Sequence, residues 1–195
     1  MARDDGTARG ERVWDPAIRV FHWALAVFVC TSWALGEWGP SIMTWHFWSG
    51  YAIAGLLAFR LAWGIIGPPT ARFAQFLAGP VTVARYVATV PRRAPSRWHG
   101  HNPLGGWAVA VMLVLLIGQV GTGLIADPDD YINIGPLAHL VPEDVRFAAA
   151  AWHGRIATAL LWVVILHVAA IAFYRFWKRE DLVTPMITGR KPPRG

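Results

Sequence analysis

The sequence WHGRIATALLWVVILHVAAIAFY, residues 152–174, decides the fold of this chain. An apolar run of about 20 residues crosses a bilayer as one helix, so this stretch predicts a membrane span. It carries His153 and His167, which are fourteen residues apart. In a helix, that spacing places them about 21 Å apart along the axis and within about 40° of the same face. Because an imidazole is costly in hydrocarbon, both are candidate functional residues.

Three more apolar runs repeat this pattern. Residues 17–35, 45–66, 104–126 and 150–174 are each long and apolar enough to span a membrane. The chain is 55% hydrophobic and only 15% charged. We therefore predict an all-α integral membrane protein, a four-helix transmembrane bundle that forms one domain over residues 1–195. We expect no cleaved signal peptide, because the first apolar run is long enough to be retained as a span.

The segments between the spans differ in character. Residues 67–103, between the second and third spans, are rich in proline and arginine and amphipathic in part. Within them, residues 80–90 predict a helix that lies in the membrane interface. Residues 127–149 form an acidic loop, and residues 175–195 form a basic tail.

Lysine and arginine placement predicts the orientation. Fifteen of the 18 precede or open the first span, lie between the second and third, or follow the fourth: Arg3, Arg9, Arg12, Arg19, Arg72, Arg85, Arg92, Arg93, Arg97, Arg175, Lys178, Arg179, Arg190, Lys191 and Arg194. The loop between the third and fourth spans has only Arg146. The positive-inside rule then puts both termini and residues 67–103 in the cytoplasm, and residues 127–149 outside. The net charge of +6 is therefore a topology signal, and we expect no nucleic-acid partner.

The orientation predicts the depth of each histidine in the membrane. His22 and His167 fall near the cytoplasmic ends of the first and fourth spans, whereas His46 and His153 fall near the outer ends of the second and fourth. Two imidazoles from different helices are what six-coordinate haem iron requires. We therefore predict an inner haem bound by His22 and His167, and an outer haem bound by His46 and His153. The single cysteine, Cys30, excludes a Cys-x-x-Cys-His haem attachment.

Other interpretations of the same histidines remain open. Taken singly, each histidine is better explained by helix packing or by an interhelical hydrogen bond. Intramembrane histidines also serve proton relays, so a haem-free ion or proton channel, or a purely structural membrane subunit, is an alternative. Two pairs at matched depths favour the haem interpretation.

Three arginines and one further histidine are candidate contacts for the bound groups. A guanidinium matches a carboxylate, so Arg19, Arg60 and Arg155 are candidates for haem propionates or a quinone, with snorkelling to lipid headgroups as the alternative. His101, just before the third span, is a candidate contact for a quinone or a haem. No residue is predicted to be catalytic in its own right.

Four stretches carry a resemblance to a known family: WDPAIRVFHW at 14–23, WHFWSGYAIAGLLAFRLAWGIIG at 45–67, HNPLGG at 101–106, and LHVAAIAFYRFWKREDLVTPMITGRK at 166–191. Over about residues 12–191 the chain resembles the bacterial cytochrome b561 family, in the branch related to the cytochrome b subunits of nickel–iron hydrogenases. The resemblance implies a four-helix bundle with two haems b. It places the iron ligands on His22, His46, His153 and His167.

The resemblance also implies a function in electron transport. Family members relay electrons between a donor or acceptor outside the cytoplasm and the quinone pool of the bacterial inner membrane, and some oxidise superoxide and reduce quinone. We therefore expect a di-haem relay with quinone as a substrate and a periplasmic cytochrome c or other redox protein as a partner. A stand-alone, superoxide oxidase-like quinone reductase is the alternative. The acidic residues 127–144 suit a basic partner, although they also suit an ordinary solvated loop.

Overall fold

The computed structural model describes residues 10–96 and 98–191, and within these ranges the chain is mostly helical. Its helices are α1 Pro16–Trp38, α2 Thr44–Ile66, α3 Phe73–Phe76, α4 Pro80–Val87, α5 Pro103–Ile125, α6 Glu143–Phe176 and α7 Val183–Thr188. The helices α1, α2, α5 and α6 are long and apolar enough to cross a membrane. The predicted fold class, an all-α four-helix transmembrane protein, is confirmed.

Local sequence sets where the helices begin. Asp15 precedes Pro16, and its Oδ1 atom accepts hydrogen bonds from the backbone N–H groups of Ala17 and Ile18 at 3.0 and 3.1 Å. Such a side-chain cap, followed by proline at the first helical position, is a common helix start. The helix α6 begins at Glu143, seven residues ahead of the span predicted from residue 150, and its first turn carries the acidic residues Glu143 and Asp144.

The chain divides into two compact units. The first, here called the terminal unit, runs from the start of the chain to His22 and adds Leu61–Val109 and the residues from Leu166 onward. The second, here called the central unit, comprises Trp23–Arg60 and Ala110–Ile165. Parts of the long helices belong to each.

Two short strands in the terminal unit were not predicted. The strand β1, Glu11–Arg12, pairs antiparallel with β2, Arg190–Lys191. The backbone N–H of Val13 continues the pairing with a 2.9 Å hydrogen bond to the carbonyl of Gly189. Next to the strands, Val13 is buried with three other apolar residues, Trp14, Ile18 and Ala71. Strands of two residues have no periodicity for a sequence pattern to reveal.

Four of the arginines that contributed to the predicted orientation lie outside the described residues: Arg3, Arg9, Arg97 and Arg194.

The central unit contains the loop that follows α5. Asn133 holds this loop to the connection between α1 and α2: its Oδ1 atom accepts from the backbone N–H of Met43 at 2.9 Å, and its Nδ2 atom donates to the carbonyl of Ser41 at 2.7 Å. Nearby, Tyr131 is 88% exposed. The loop predicted over residues 127–149 is therefore held to the connection between α1 and α2, and it ends where α6 begins at Glu143.

A buried polar cluster in the terminal unit fastens α4 and the start of α5 to the end of α6. The hydroxyl groups of Tyr86 and Tyr174 are 2.6 Å apart, and the Nδ2 atom of Asn102 donates to Tyr174 at 3.0 Å. The Oδ1 atom of Asn102 also caps α5 by accepting from the N–H of Gly105 at 2.8 Å. Burial, reinforced by the bond to Tyr174, raises the pKa of Tyr86 above its usual range.

Replacing Tyr86 with phenylalanine is expected to lower the stability at neutral pH by about 1 kcal/mol, because one buried hydrogen bond is lost. Since the folded protein holds the Tyr86 proton more tightly than the unfolded chain, that contribution is complete below about pH 10 and falls above it. Thermal unfolding in detergent, followed by tryptophan fluorescence, measures both effects. The exposed hydroxyl of Tyr131 provides the control, and equal behaviour of Tyr86→Phe and Tyr131→Phe would refute a stabilising cluster.

Candidate functional site

His46 and His153 lie together in the central unit. Their ring centroids are 6.0 Å apart, and the two ring planes meet at 73°. His46 lies near the start of α2, and His153 lies in α6. The structure thus brings together the two histidines that predicted depth had paired.

Backbone carbonyls fix the tautomer of both rings. The Nδ1 atom of His46 is 2.9 Å from the carbonyl oxygen of Ser32, and that of His153 is 3.0 Å from the carbonyl oxygen of Gln119. A carbonyl only accepts, so each neutral ring carries its hydrogen on Nδ1. Each Nε2 atom then carries a lone pair on the side away from these carbonyls, which is the nitrogen that binds a metal when the other ring nitrogen donates to a carbonyl.

The helix α5 contributes no histidine, yet three of its residues contact His153. The carboxamide of Gln119 donates to the Nε2 atom of His153 at 3.0 Å, and the Thr122 hydroxyl is 3.3 Å from its Nδ1 atom. A Cβ atom added at Gly123 would come within 2.9 Å of the imidazole, so only glycine allows this approach. The contacts of Gln119 and Thr122 were not predicted from the sequence. The available signal was a polar amide inside an apolar span, which is costly without a partner.

His22 and His167 lie together in the terminal unit. His22 is in α1 and His167 is in α6, and the two imidazoles are close enough to interact electrostatically. Both side chains are half-buried. The predicted inner pair is therefore brought together as well, and α6 supplies one histidine to each pair.

The three candidate arginines occupy different environments. Arg60, in α2, is only 3% exposed. Arg19 packs against the C-terminal segment, where a Cβ atom at Gly189 would lie 2.9 Å from its Nη1 atom. Arg155 is exposed, and its guanidinium lies over the Trp152 ring at 5.1 Å. A guanidinium matches a carboxylate, and only Arg60 of the three is buried, so Arg60 is the arginine best suited to a haem propionate.

His101 is enclosed by aromatic rings of the terminal unit. Its ring centroid is 4.6 Å from that of Trp14 and 4.7 Å from that of Phe76. The remaining two histidines are at the surface: His99 pairs with Glu11 at 3.0 Å, and His139 is exposed. His101 is thus the only one of the three in a partly enclosed setting.

Four apolar spans with histidines paired inside them define a membrane protein of the cytochrome class. The family model for prokaryotic cytochrome b561 matches residues 13–189, so the chain belongs to the prokaryotic cytochrome b561 family and is a multi-pass, b-type membrane cytochrome of electron transport. It is 23% identical to a probable Ni/Fe-hydrogenase B-type cytochrome subunit of Bradyrhizobium diazoefficiens, over 92% of this chain and 85% of that protein. No solved structure gives a significant match.

The residues at His46 and His153 fit the haem b that the family implies. In the described ranges, no group of three or more His, Cys, Asp or Glu residues is placed to hold a metal. Haem iron needs only two side chains, because the macrocycle provides its other ligands. Two metal–nitrogen bonds of about 2 Å, plus the distance from each nitrogen to its ring centre, are compatible with the ring separation of 6.0 Å.

Space and access at this pair also agree with haem. A Cβ atom added at Gly50, one turn after His46, meets nothing within 4 Å among the described residues. The carboxamide of Gln119 donates a hydrogen bond to the Nε2 atom of His153 and must move aside when a metal binds there. Since that carboxamide belongs to a flexible side chain, its displacement needs no change in α5.

Proposed function

We propose that this protein is a di-haem relay that carries electrons across the bacterial inner membrane, between a periplasmic partner or small donor and the quinone pool. This proposal rests on the observation that α6 supplies one histidine to each of two pairs, His46 with His153 and His22 with His167. Bound haem b supplies one-electron redox chemistry. The chain's own residues bind the two groups, and the fourteen residues between His153 and His167 correspond to about 21 Å along a helix axis.

Each part of the chain has a definite task under this proposal. Ser32 and Gln119 orient the imidazoles of His46 and His153 through their backbone carbonyls, so that the Nε2 atom of each ring is the one that binds the iron. Arg60 neutralises a propionate. The apolar spans keep water away from both groups. The positive-inside pattern supports placing both termini in the cytoplasm.

A quinone headgroup is proposed to bind in the terminal unit, near Arg19 and His101. Both residues lie beside Trp14, whose ring contacts His101 and whose carbonyl is next to Gly189, as is the Arg19 guanidinium. These side chains offer hydrogen bonds to quinone oxygens among aromatic rings. Such convergence of a few polar groups in an apolar setting is typical of small-molecule sites.

The periplasmic partner is proposed to be a basic redox protein such as a cytochrome c. The loop after α5 carries Asp127, Asp129 and Asp130, and α6 opens with Glu143 and Asp144. These charges favour a positively charged partner by steering its approach. The relative from Bradyrhizobium diazoefficiens is named as a hydrogenase subunit, which makes a hydrogenase a second candidate partner.

Haem content tests the proposal directly. We expect the purified protein to be red, to show a b-type band in its dithionite-reduced minus oxidised spectrum, and to contain two haems per chain. One haem per chain would overturn the di-haem relay. A colourless folded protein would favour the haem-free channel or structural subunit, although family membership argues against both.

Quinone reduction separates a relay from a stand-alone enzyme. A relay is expected to reduce quinone only when a reduced partner protein is added. If superoxide alone drives quinone reduction by the purified protein, the superoxide oxidase-like alternative is the correct one.

Replacing Arg60 with glutamine is expected to lower haem content or shift one haem potential downward, because a buried positive charge next to a propionate is lost. The matched variant Arg155→Gln removes an exposed guanidinium and should leave both haems unchanged. Haem quantification and spectroelectrochemical titration measure the two effects. Equal behaviour of the variants would exclude Arg60 as a propionate contact.

A further inference from the structure

The Nδ1–H group of His153 faces two acceptors on α5. The carbonyl oxygen of Gln119 is 3.0 Å away, and the hydroxyl oxygen of Thr122 is 3.3 Å away. The hydroxyl has a single hydrogen, and its shortest bond, 2.8 Å, is to the carbonyl of Gly118 in the preceding turn. With that hydrogen directed at Gly118, the lone pairs of the Thr122 oxygen face His153.

We propose that Thr122 is a positioning residue, an inference that rests on the proposed function. Together with the backbone carbonyl of Gln119, Thr122 sets the electron-donating strength of His153 toward haem b. An acceptor on Nδ1–H makes an imidazole more basic, and so a stronger donor at Nε2. A stronger axial donor stabilises the oxidised iron and lowers the reduction potential. The potential of the haem at His46 and His153 is thus set partly by a helix that provides no ligand.

The chain contains a natural comparison for Thr122. Thr158 in α6 makes the same type of bond, from its hydroxyl to the carbonyl of Gly154 four residues earlier, at 3.1 Å. Thr158 is exposed, whereas Thr122 is part-buried against His153. Both threonines belong to the central unit, so a general effect of removing a hydroxyl from a spanning helix should appear at both.

The test is the variant Thr122→Val, which keeps the shape of the side chain and removes the hydroxyl. Loss of this longer hydrogen bond is expected to change the equilibrium between oxidised and reduced haem by about threefold, which raises the potential by about 28 mV for one electron. The second haem, at His22 and His167, should keep its potential in the same titration. Thr122→Ser should restore the original value, and Thr158→Val should change neither haem.

The possible outcomes separate this inference from the proposed function. Suppose that the protein binds two haems and that Thr122→Val leaves both potentials unchanged, or lowers the potential of the haem at His46 and His153. The inference is then overturned and the di-haem relay stands. The same holds if Thr158→Val gives an equal shift, because the effect would then not act through His153. If the original protein binds no haem, the proposed function itself fails.

Discussion

Replacing His153 with alanine is expected to reduce the haem content from two per chain to one. The imidazole is half of the pair with His46, and the two rings are 6.0 Å apart. Without it, one of the two side-chain bonds to that iron is lost, whereas His22 and His167 in the terminal unit are untouched. The pyridine haemochrome assay gives the haem count, and a reduced minus oxidised spectrum shows which band disappears.

Two variants control this result. His139→Ala removes an exposed histidine of the same unit and should keep both haems. His22→Ala should remove the other haem and keep the absorption band that is missing from His153→Ala. A His153→Ala protein that still carries two haems would show that His153 is not a ligand.

Substitution of Gly123 by alanine is expected to weaken binding of the same haem by about 10- to 100-fold, the range typical when groups supporting a metal ligand are disturbed. The added Cβ atom would lie 2.9 Å from the His153 ring, so the imidazole must tilt. Its Nδ1–H bond to Gln119 and the direction of its Nε2 lone pair are then both lost. Haem titration of the purified variant measures the change.

Gly121 provides a closely matched control for this effect. It lies two residues away on α5, and a Cβ atom there meets nothing within 4 Å among the described residues. Both substitutions favour the helix by about the same amount, near 1 kcal/mol. Gly121→Ala should therefore keep both haems, and equal losses in the two variants would mean that contact with His153 is not the cause.

The sequence alone was sufficient to predict the class of fold and the pairing of histidines. Spans follow from apolar length, and depth follows from the helical rise of 1.5 Å per residue, so His46 could be matched with His153 without knowledge of any contact. Both arguments depend on properties averaged over a whole helix. They do not depend on the direction of any one side chain.

Individual side-chain directions were beyond prediction. Arg155 was an equal candidate with Arg60, but its guanidinium lies over the exposed Trp152 ring, while Arg60 is buried. The contacts of Gln119 and Thr122 with His153 depend on the rotation of α5, which a nearly uniform apolar sequence does not reveal. A polar residue in such a sequence nevertheless marks a position that needs a partner.

The most direct test is an experimental density map of the haem-loaded protein in lipid or detergent. We predict two haem irons, one bound by the Nε2 atoms of His46 and His153 and the other held by His22 and His167. Iron bound through any other side chain, or a single haem per chain, would contradict the account.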